Sequence, residues 1–302
     1  MMLDHSSTLW HEPVLVSEVI QFLKLTPGLT VVDGTVGTGG HSLAVLPHLL
    51  PDGRLVAIDQ DPQALAWAQR RLSEFASRTM FLHGNFRDLP SLLKRTNGIL
   101  VDRLLLDIGM SSLQVDDATR GFSFLKDGPL DMRMDPSQDL TAEEVVRTAS
   151  AEALAIILVR FGEERFARRI ARRIVETRRE APLTTTTQLA RLVVSAVPAG
   201  ARHGRVHPAT RTFQALRIAV NGELEALETF LANLPALLRP GGRALVLTFH
   251  SLEDRLVKQA FIAGQRDGQW TVLTKKPVRP QAAEVARNPR ARSAKLRAIE
   301  RN

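Results

Sequence analysis

Short apolar runs without polar alternation recur through the first third of the sequence. Four of them are evident, at residues 29–33, 54–59, 80–83 and 103–107. Unbroken apolar runs of this length are typical of strands that are buried on both faces. Such strands form parallel sheets, whose connections need crossover helices. The pattern therefore restricts the chain to folds in which helices cover both faces of a mostly parallel sheet.

Helical periodicity fills the intervals between these runs. Segments 42–50 and 62–75 carry apolar residues at helical spacing, and Asp61 and Pro62 are a suitable cap and first-turn residue for the second. A fifth apolar run, 243–249, follows a predicted helix at about 221–238 and a Pro-Gly-Gly turn. This alternation predicts an α/β fold with a doubly wound, Rossmann-like sheet.

The interval between the fourth and fifth runs is too long for one crossover helix. It exceeds a hundred residues and contains long helical patterns, notably over 151–179, where Phe166, Ile170 and Ile174 share one face. We therefore expect a helical domain inserted at 125–212, with residues 1–124 and 213–302 forming a discontinuous sheet domain.

Basic residues are concentrated in two places. The chain has a net charge of +8, and the tail from about residue 275 has nine basic and two acidic residues. Five clustered arginines also lie in the predicted insertion, at positions 165, 168, 169, 172 and 173. Each cluster is either a solvated face, partly disordered in the tail, or a surface that touches nucleic-acid phosphates.

Other compositional features exclude several classes of protein. The chain has no cysteine, which excludes disulfides, thiolate metal sites and a cysteine nucleophile. It has no long apolar run and no charged segment followed by an apolar one at the amino terminus, so we expect a soluble, cytoplasmic protein without membrane contact. No His/Asp/Glu cluster has metal-ligand spacing, so no catalytic metal is expected.

A glycine-rich loop follows the first predicted strand. Residues 33–42 read DGTVGTGGHS, and Asp59 ends the second strand twenty residues beyond Gly39. Ligands bind at this edge of open α/β sheets, and an acidic strand end can accept hydrogen bonds from ribose hydroxyls. The dinucleotide-binding fingerprint has Gly or Ala at the position of Ser42. The loop could therefore bind NAD, bind a methionine-linked adenosine cofactor, or be a purely structural turn. Phe86 could stack on adenine or belong to the core.

Polar residues also follow the fourth and fifth predicted strands. Asp107, Ser111 and Gln114 could accept hydrogen bonds from an exocyclic amine, and His250 could accept a proton or contact a base edge. Methylation of a cytosine ring carbon commonly uses a cysteine, so the absence of cysteine favours an amine acceptor. Asp107 could also simply cap a turn, and Glu253 or Asp254 could cap the following helix.

The sequence resembles the RsmH (MraW) family of ribosomal RNA methyltransferases through nearly its whole length. The segments that carry the resemblance are HEPVL (11–15), DGTVGTGGHS, AIDQDP, GFSFLKDGPLDMRMD (121–135), FGEERFARRIARRIV, HPATRTFQALRIAVNGEL, TFHSLEDR and NPRARSAKLR. The resemblance implies S-adenosylmethionine as cofactor and the exocyclic N4 amine of a cytosine in the decoding region of 16S rRNA, within the small ribosomal subunit, as acceptor. It implies cofactor contacts from Gly39, Gly40, His41, Asp59, Phe86, Asp107 and Gln114.

Several alternatives stay open at this point. Leu113 stands where the family pattern has proline, which is expected to loosen the loop that presents Gln114. With no tyrosine in the chain, the target base would stack on Phe122, Phe124 or His250. An NAD-dependent oxidoreductase and a non-catalytic RNA-binding module are the rival functions. The sequence does not decide whether the chain forms a homodimer.

Overall fold

The computed structural model describes residues 12–96, 100–204 and 206–302, and the chain divides into two compact units. The first unit comprises Met1–Gly109 and Leu224–Asn302, and the second comprises Met110–Glu223. The second unit therefore begins before, and ends after, the insertion predicted at 125–212.

A seven-stranded sheet organises the first unit. Its strands are β1 Thr30–Asp33, β2 Arg54–Asp59, β3 Thr79–His83, β4 Val101–Asp107, β5 Leu238–Thr248, β6 Trp270–Val272 and β7 Lys295–Arg301. The spatial order is β3-β2-β1-β4-β5-β7-β6. Strands β1 to β5 pair in parallel, whereas β7 is antiparallel to both β5 and β6. The predicted α/β, doubly wound, Rossmann-like class is confirmed.

Thirteen helices are present in the described part of the chain. They are α1 Val16–Leu23, α2 Gly40–Val45, α3 Pro62–Arg71, α4 Leu89–Lys94, α5 Ser112–Asp116, α6 Ala142–Thr148, α7 Ala151–Gly162, α8 Ala167–Glu180, α9 Thr186–Ala196, α10 Thr210–Asn221, α11 Glu223–Leu237, α12 Ser251–Arg266 and α13 Ala282–Arg287. Within the described ranges, none is long and apolar enough to cross a bilayer.

Three predicted elements have different limits in the structure. The helix predicted over 151–179 is two helices, α7 and α8, because Glu163 adopts a left-handed conformation with φ 47°. The helix predicted from residue 221 begins after Gly222, whose φ of 59° ends α10. The predicted turn at 240–242 lies within β5, beside a register shift in the pairing of β4 with β5.

Apolar clusters lie on both faces of the sheet. One contains Val32 and Leu104 with residues of α4, α11 and α12, and the other contains Val31 and Leu105 with residues of α1, α2 and α3. Adjacent residues of β1 and β4 thus enter opposite clusters, as the alternation of strand side chains requires. This explains why these runs contain no polar alternation.

The end of the basic tail is strand β7 of the sheet, which corrects the expectation of a disordered end. Contact of the tail with nucleic-acid phosphates stays a prediction. Leu296, Ala298 and Ile299 of β7 have no exposed surface. Arg297 lies 2.7 Å from a carboxylate oxygen of Asp254 on α12. The charge of β7 is therefore partly neutralised inside the fold, and burial of its apolar residues explains why the segment is ordered.

Buried polar bonds hold the last helix of the second unit in place. The amide of Asn221 in α10 donates to the Met132 carbonyl at 2.8 Å, and its oxygen accepts from the Met134 N–H at 2.8 Å. Arg217 and Glu223 form a mostly buried ion pair at 2.7 Å. These contacts explain why α10 belongs to this unit, although the predicted insertion ended at residue 212.

Candidate active site

Asp33 anchors the glycine loop beneath the carboxyl edge of the sheet. It is 2% exposed and accepts hydrogen bonds from the Ser42 hydroxyl at 2.7 Å and the Thr35 N–H at 3.2 Å. Burial raises the pKa of Asp33, and the bond from Ser42 opposes that rise. Ser42, which departs from the dinucleotide fingerprint, thus holds α2 onto the end of β1.

Asp59 connects the end of β2 to the same loop. One carboxylate oxygen accepts from the Gly37 N–H at 2.8 Å, and the other accepts from the Asp61 N–H at 2.8 Å. Burial raises the pKa of Asp59 to about 7, against the effect of these two bonds. Because the residue keeps some exposed surface, a ligand hydroxyl could reach its remaining acceptor sites.

Asp107 and His41 meet at the end of β4. The Asp107 N–H donates to the Thr35 hydroxyl at 2.7 Å, and its carboxylate accepts from the Gly109 N–H at 3.2 Å. His41 Nδ1 lies 3.5 Å from Asp107 Oδ2, while its Nε2 donates to the Val14 carbonyl at 2.8 Å. The Asp107 side chain is 22% exposed, so its oxygens can reach a ligand at this edge.

The glycines of the loop serve different purposes. A Cβ at Gly39, whose φ is 82°, would lie 3.3 Å from Leu72, and one at Gly40 would lie 3.1 Å from Pro13. At Gly37 the nearest atom would be the Thr35 carbonyl oxygen at 4.0 Å. Gly39 and Gly40 therefore permit packing within the protein, and the open space lies beside Gly37.

Residues 12–15, part of the HEPVL segment, lie over the loop. Pro13 packs on Gly40, and the Leu15 N–H donates to Glu284 of α13 at 2.8 Å. Asn288 donates to the Glu12 carbonyl at 3.0 Å. His11, which begins the motif, lies outside the described residues. This covering role could not be predicted from the sequence, because it depends on a contact with α13.

Phe86 lies just beyond β3 and is 8% exposed. Its ring packs edge-to-face on Phe230 of α11, with centroids 5.9 Å apart. This geometry supports the core alternative, and stacking on adenine stays a prediction. A polar pair that the sequence analysis missed lies nearby, where Asn85 donates to the Gln60 side chain at 2.7 Å. This pair could have been predicted from the sequence, because an amide residue follows the end of each of the two neighbouring strands β2 and β3.

His250 follows β5 and caps α12. Its Nδ1 accepts from the Glu253 N–H at 3.4 Å, and Glu253 accepts from the His250 N–H at 3.1 Å. Nε2 lies 2.9 Å from Glu253 Oε1. The two atoms are not aligned for a hydrogen bond. His250 is thus the N-cap of α12, and Glu253 is its reciprocal partner in the capping box. The role of His250 toward a base stays a prediction.

Ser111 and Gln114 belong to the second unit and form a reciprocal cap at the start of α5. Gln114 is 4% exposed and accepts from the Ser111 N–H at 3.1 Å. The Leu113 N–H donates to the Ser111 hydroxyl at 3.3 Å. Proline has no N–H, so leucine at position 113 adds a bond to this turn rather than loosening it. Cofactor and acceptor contacts of Ser111 and Gln114 stay predictions.

The two phenylalanines offered for base stacking differ in exposure. Phe122 is 7% exposed and lies beside the Arg120 guanidinium. Phe124 is half-buried, and its ring lies 4.7 Å from the exposed His207 ring at an interplanar angle of 31°. Of the two, Phe124 is therefore the more exposed, which makes it the better candidate for contact with a ligand.

The first unit has the arrangement of binding residues that is typical of nucleoside-binding α/β proteins. A glycine loop after β1, an acidic residue at the end of β2 and Asp107 at the end of β4 lie along one edge of a parallel sheet. This is where open α/β folds bind nucleotides. The open space beside Gly37 and the accessible carboxylates of Asp59 and Asp107 fit an adenosine-containing ligand.

Comparisons with known proteins give the family. The MraW methylase family profile matches residues 8–302, and the chain belongs to that family. The ribosomal RNA small subunit methyltransferase H of Syntrophotalea carbinolica is 50% identical, covering 96% of this chain and 98% of that protein. The protein of the same name from Cyanothece sp. is 54% identical, covering 96% and 94%.

Among solved structures, TrmN from Thermus thermophilus is 17% identical, with a TM-score of 0.46, covering 95% of this chain and 48% of that one. A likeness of that strength does not support a conclusion. The family assignment rests on the sequence relatives. The chain is accordingly a methyltransferase whose cofactor is S-adenosylmethionine, as the resemblance implied.

Proposed function

We propose that this protein transfers the methyl group of S-adenosylmethionine to the exocyclic N4 amine of a cytosine in 16S rRNA, in the decoding region of the small ribosomal subunit. The observation that carries the proposal is the carboxylate of Asp107, accessible at the cofactor edge of a chain that contains no cysteine. Relatives about half identical over nearly their whole length are named small subunit rRNA methyltransferases, which supports rRNA as substrate.

Methyl transfer to an amine requires orientation more than covalent catalysis. The cofactor supplies an electrophilic methyl group, so that a carbon–nitrogen bond forms as the carbon–sulfur bond breaks and the amine then loses one proton. The protein must hold the amine in line with that methyl group, which can supply much of the rate enhancement. A carboxylate that accepts an amine N–H achieves this, and Asp107 is suited to that role.

Fixed hydrogen bonds position the Asp107 carboxylate for this task. The Thr35 hydroxyl and the Gly109 N–H hold its backbone and one oxygen. Its other oxygen faces His41, which in turn bonds to the Val14 carbonyl. Asp59 would accept the ribose hydroxyls at the end of β2, two strands away in the sheet.

Product analysis tests the acceptor directly. Small ribosomal subunits from cells lacking the modification would be incubated with the protein and labelled S-adenosylmethionine, and the digested RNA analysed by mass spectrometry. N4-methylcytidine as the labelled product is expected. Label in 5-methylcytidine or in another nucleoside would refute the amine proposal. Stabilisation by NAD and not by S-adenosylmethionine would instead favour the oxidoreductase that the family assignment disfavours.

Phe124 is proposed as the stacking surface for the target base. Stacking on an aromatic ring contributes about 1–3 kcal/mol per base, so Phe124→Ala should lower kcat/KM for RNA roughly 5- to 150-fold. Cofactor affinity should stay unchanged. Phe75→Ala in the first unit is a matched control that also removes a partly buried ring. Loss of cofactor affinity in Phe124→Ala, without a selective effect on RNA, would refute the assignment.

A further inference from the structure

We propose that the exposed face of α8 in the second unit is a binding surface for RNA phosphates. This inference rests on the proposed function, because it takes RNA as the substrate. The surface consists of five arginines, one just before the start of α8 and four in its first two turns, which we call the α8 arginine face. Its members are Arg165, Arg168, Arg169, Arg172 and Arg173.

The helix separates its apolar and basic residues completely along this stretch. Ala167, Ile170, Ala171 and Ile174 are 2% exposed or less, whereas all five arginines of the face are exposed. Residues three and four apart are neighbours on a helix, with Cβ atoms ~5–6 Å apart. The side chains therefore form a continuous row of positive charge along one side of α8.

Pairing with glutamates does not neutralise this row. In the described ranges, Arg168, Arg169 and Arg172 have no carboxylate within ion-pair distance, and Arg173 lies 3.7 Å from Glu176. Glu164, the nearest buried acid in sequence, bonds to the Phe166 N–H at 2.8 Å. The arginines of this face are therefore mostly not paired with glutamates.

An arginine outside the row shows what a structural arginine looks like in the same helix. Arg178 donates to the carbonyls of Val146 and Ala149 at 2.6 and 2.7 Å, so it holds the end of α6. No comparable bond to a carbonyl is made by Arg168, Arg169 or Arg172 within the part of the chain that the structure describes. Folding of the second unit does not explain their presence.

The middle of the row borders a shallow cavity of about 310 Å³. Arg169, Arg172 and Arg173 line it together with Glu176, and Ser195 and Ala196 at the end of α9 close the other side. Guanidinium groups on two successive turns can thus approach one anion from the same side. Their planar N–H donors match phosphate oxygens in pairs, which ammonium groups do not.

The length of the row indicates a polyanion rather than a single phosphate. From Arg168 to Arg173 the helix rises ~7.5 Å at 1.5 Å per residue, and Arg165 extends the row beyond the start of α8, so more than one phosphate of a strand could be bound. The row contains no aromatic or large apolar side chain, so it offers no stacking surface to bases. The contacts it can make are therefore with the backbone, and they position RNA without reading its sequence.

The experiment compares a triple variant, Arg168→Gln with Arg169→Gln and Arg172→Gln, with the wild-type protein. Binding to small ribosomal subunits that lack the modification would be measured by filter binding from 50 to 200 mM salt. Each phosphate contact on a single strand contributes ~0.7 to the slope of log K against log salt. Loss of three contacts should therefore lower the slope by about 2, and the affinity by up to ~100-fold at 0.1 M salt.

A matched control removes the same charge elsewhere. Arg54, Arg147 and Arg266 are exposed, and changing all three to Gln should leave the salt slope near the wild-type value. Affinity for S-adenosylmethionine, measured by calorimetry, should be unchanged in both triple variants, which shows that the first unit is intact. Helix content should also be unchanged, since every altered side chain is exposed.

The outcomes distinguish this inference from the function on which it rests. If the wild-type protein methylates the subunits and the α8 variant keeps the wild-type slope, or loses no more than the control, the α8 surface is refuted and the proposed function stands. Displacement of bound subunits by polyglutamate but not by polyuridylate would refute it as well. A wild-type protein that transfers no methyl group to RNA would refute the proposed function itself.

Discussion

Asp59→Asn tests the predicted contact between Asp59 and the cofactor ribose. Burial raises the pKa of Asp59 to about 7, although the N–H groups of Asp61 and Gly37 favour the ionised form. An ionised carboxylate is the better acceptor for ribose hydroxyls. Roughly one-tenth of the wild-type protein is then ionised at this residue at pH 6 and nine-tenths at pH 8. Affinity should therefore rise about tenfold between these two pH values.

The unliganded protein should show the opposite dependence on pH. Because the folded pKa lies above the ordinary value of 3.8, the contribution of Asp59 to stability is present at low pH and lost as pH rises to about 7. The free energy of unfolding at low pH should exceed that well above pH 7 by at most roughly 4 kcal/mol. Solvent screening of the exposed part of the side chain will reduce this value. Asp59→Asn cannot ionise and should lack this dependence.

Adenosine is the suitable ligand for this measurement, because it carries the ribose hydroxyls and lacks the ionisable methionine part of the cofactor. Calorimetry at pH 6, 7 and 8 would give its Kd for the wild-type protein and for Asp59→Asn. We expect binding that tightens with pH only in the wild type. An equal pH dependence in both proteins, or none in either, would show that Asp59 does not bind the ribose as an ionised group.

Three further substitutions test the fold. Ile299→Ala should lower the free energy of unfolding in urea by about 2–5 kcal/mol, because Ile299 is fully buried in β7; a change below 1 kcal/mol would contradict the placement of the tail. Burial opposes ionisation of Asp254, but bonds from Arg297 and Lys295 outweigh it and lower its pKa. Asp254→Asn should therefore destabilise by about 3 kcal/mol at pH 7, and an equal effect at pH 3 would contradict the ion pairs. Gly121→Ala places a Cβ against the Pro129 carbonyl oxygen at a residue with φ 72° and should cost about 3 kcal/mol or more, whereas wild-type stability would contradict that turn.

The parallel part of the sheet was predictable because burial on both faces leaves an unbroken apolar run. Strands β1, β2 and β4 end at Asp33, Asp59 and Asp107 as the sequence pattern predicts. Once the strand ends are known, their meeting at one edge follows from the parallel arrangement. The candidate cofactor edge could thus be located from the sequence, although its hydrogen bonds could not.

Strands β6 and β7 could not be predicted in the same way. In β7, basic residues alternate with apolar ones, and the composition was compatible with a solvated tail or a nucleic-acid surface rather than a buried strand. The strand is buried because Asp254, some forty residues earlier in the chain, lies beside Arg297 and Lys295. Charge compensation at such a distance in sequence depends on the tertiary fold, which local patterns do not contain.

The break between α7 and α8 was missed for a local reason. The periodicity of apolar residues continues through 151–179, and no proline interrupts it. The chain reverses at Glu163, a non-glycine residue with positive φ, which is uncommon and carries little signal in a sequence. Tertiary packing of α7 on α8 compensates for this conformation.

The most direct test of the account is methyl transfer itself, measured with labelled S-adenosylmethionine and small ribosomal subunits that lack the modification. The wild-type protein should label the RNA, and Asp107→Ala should reduce the rate at least 100-fold, in the range of a lost positioning group. Asp102→Ala, which removes a carboxylate from the opposite end of the same strand, is the control. Absence of transfer by the wild type, or undiminished transfer by Asp107→Ala, would contradict the account.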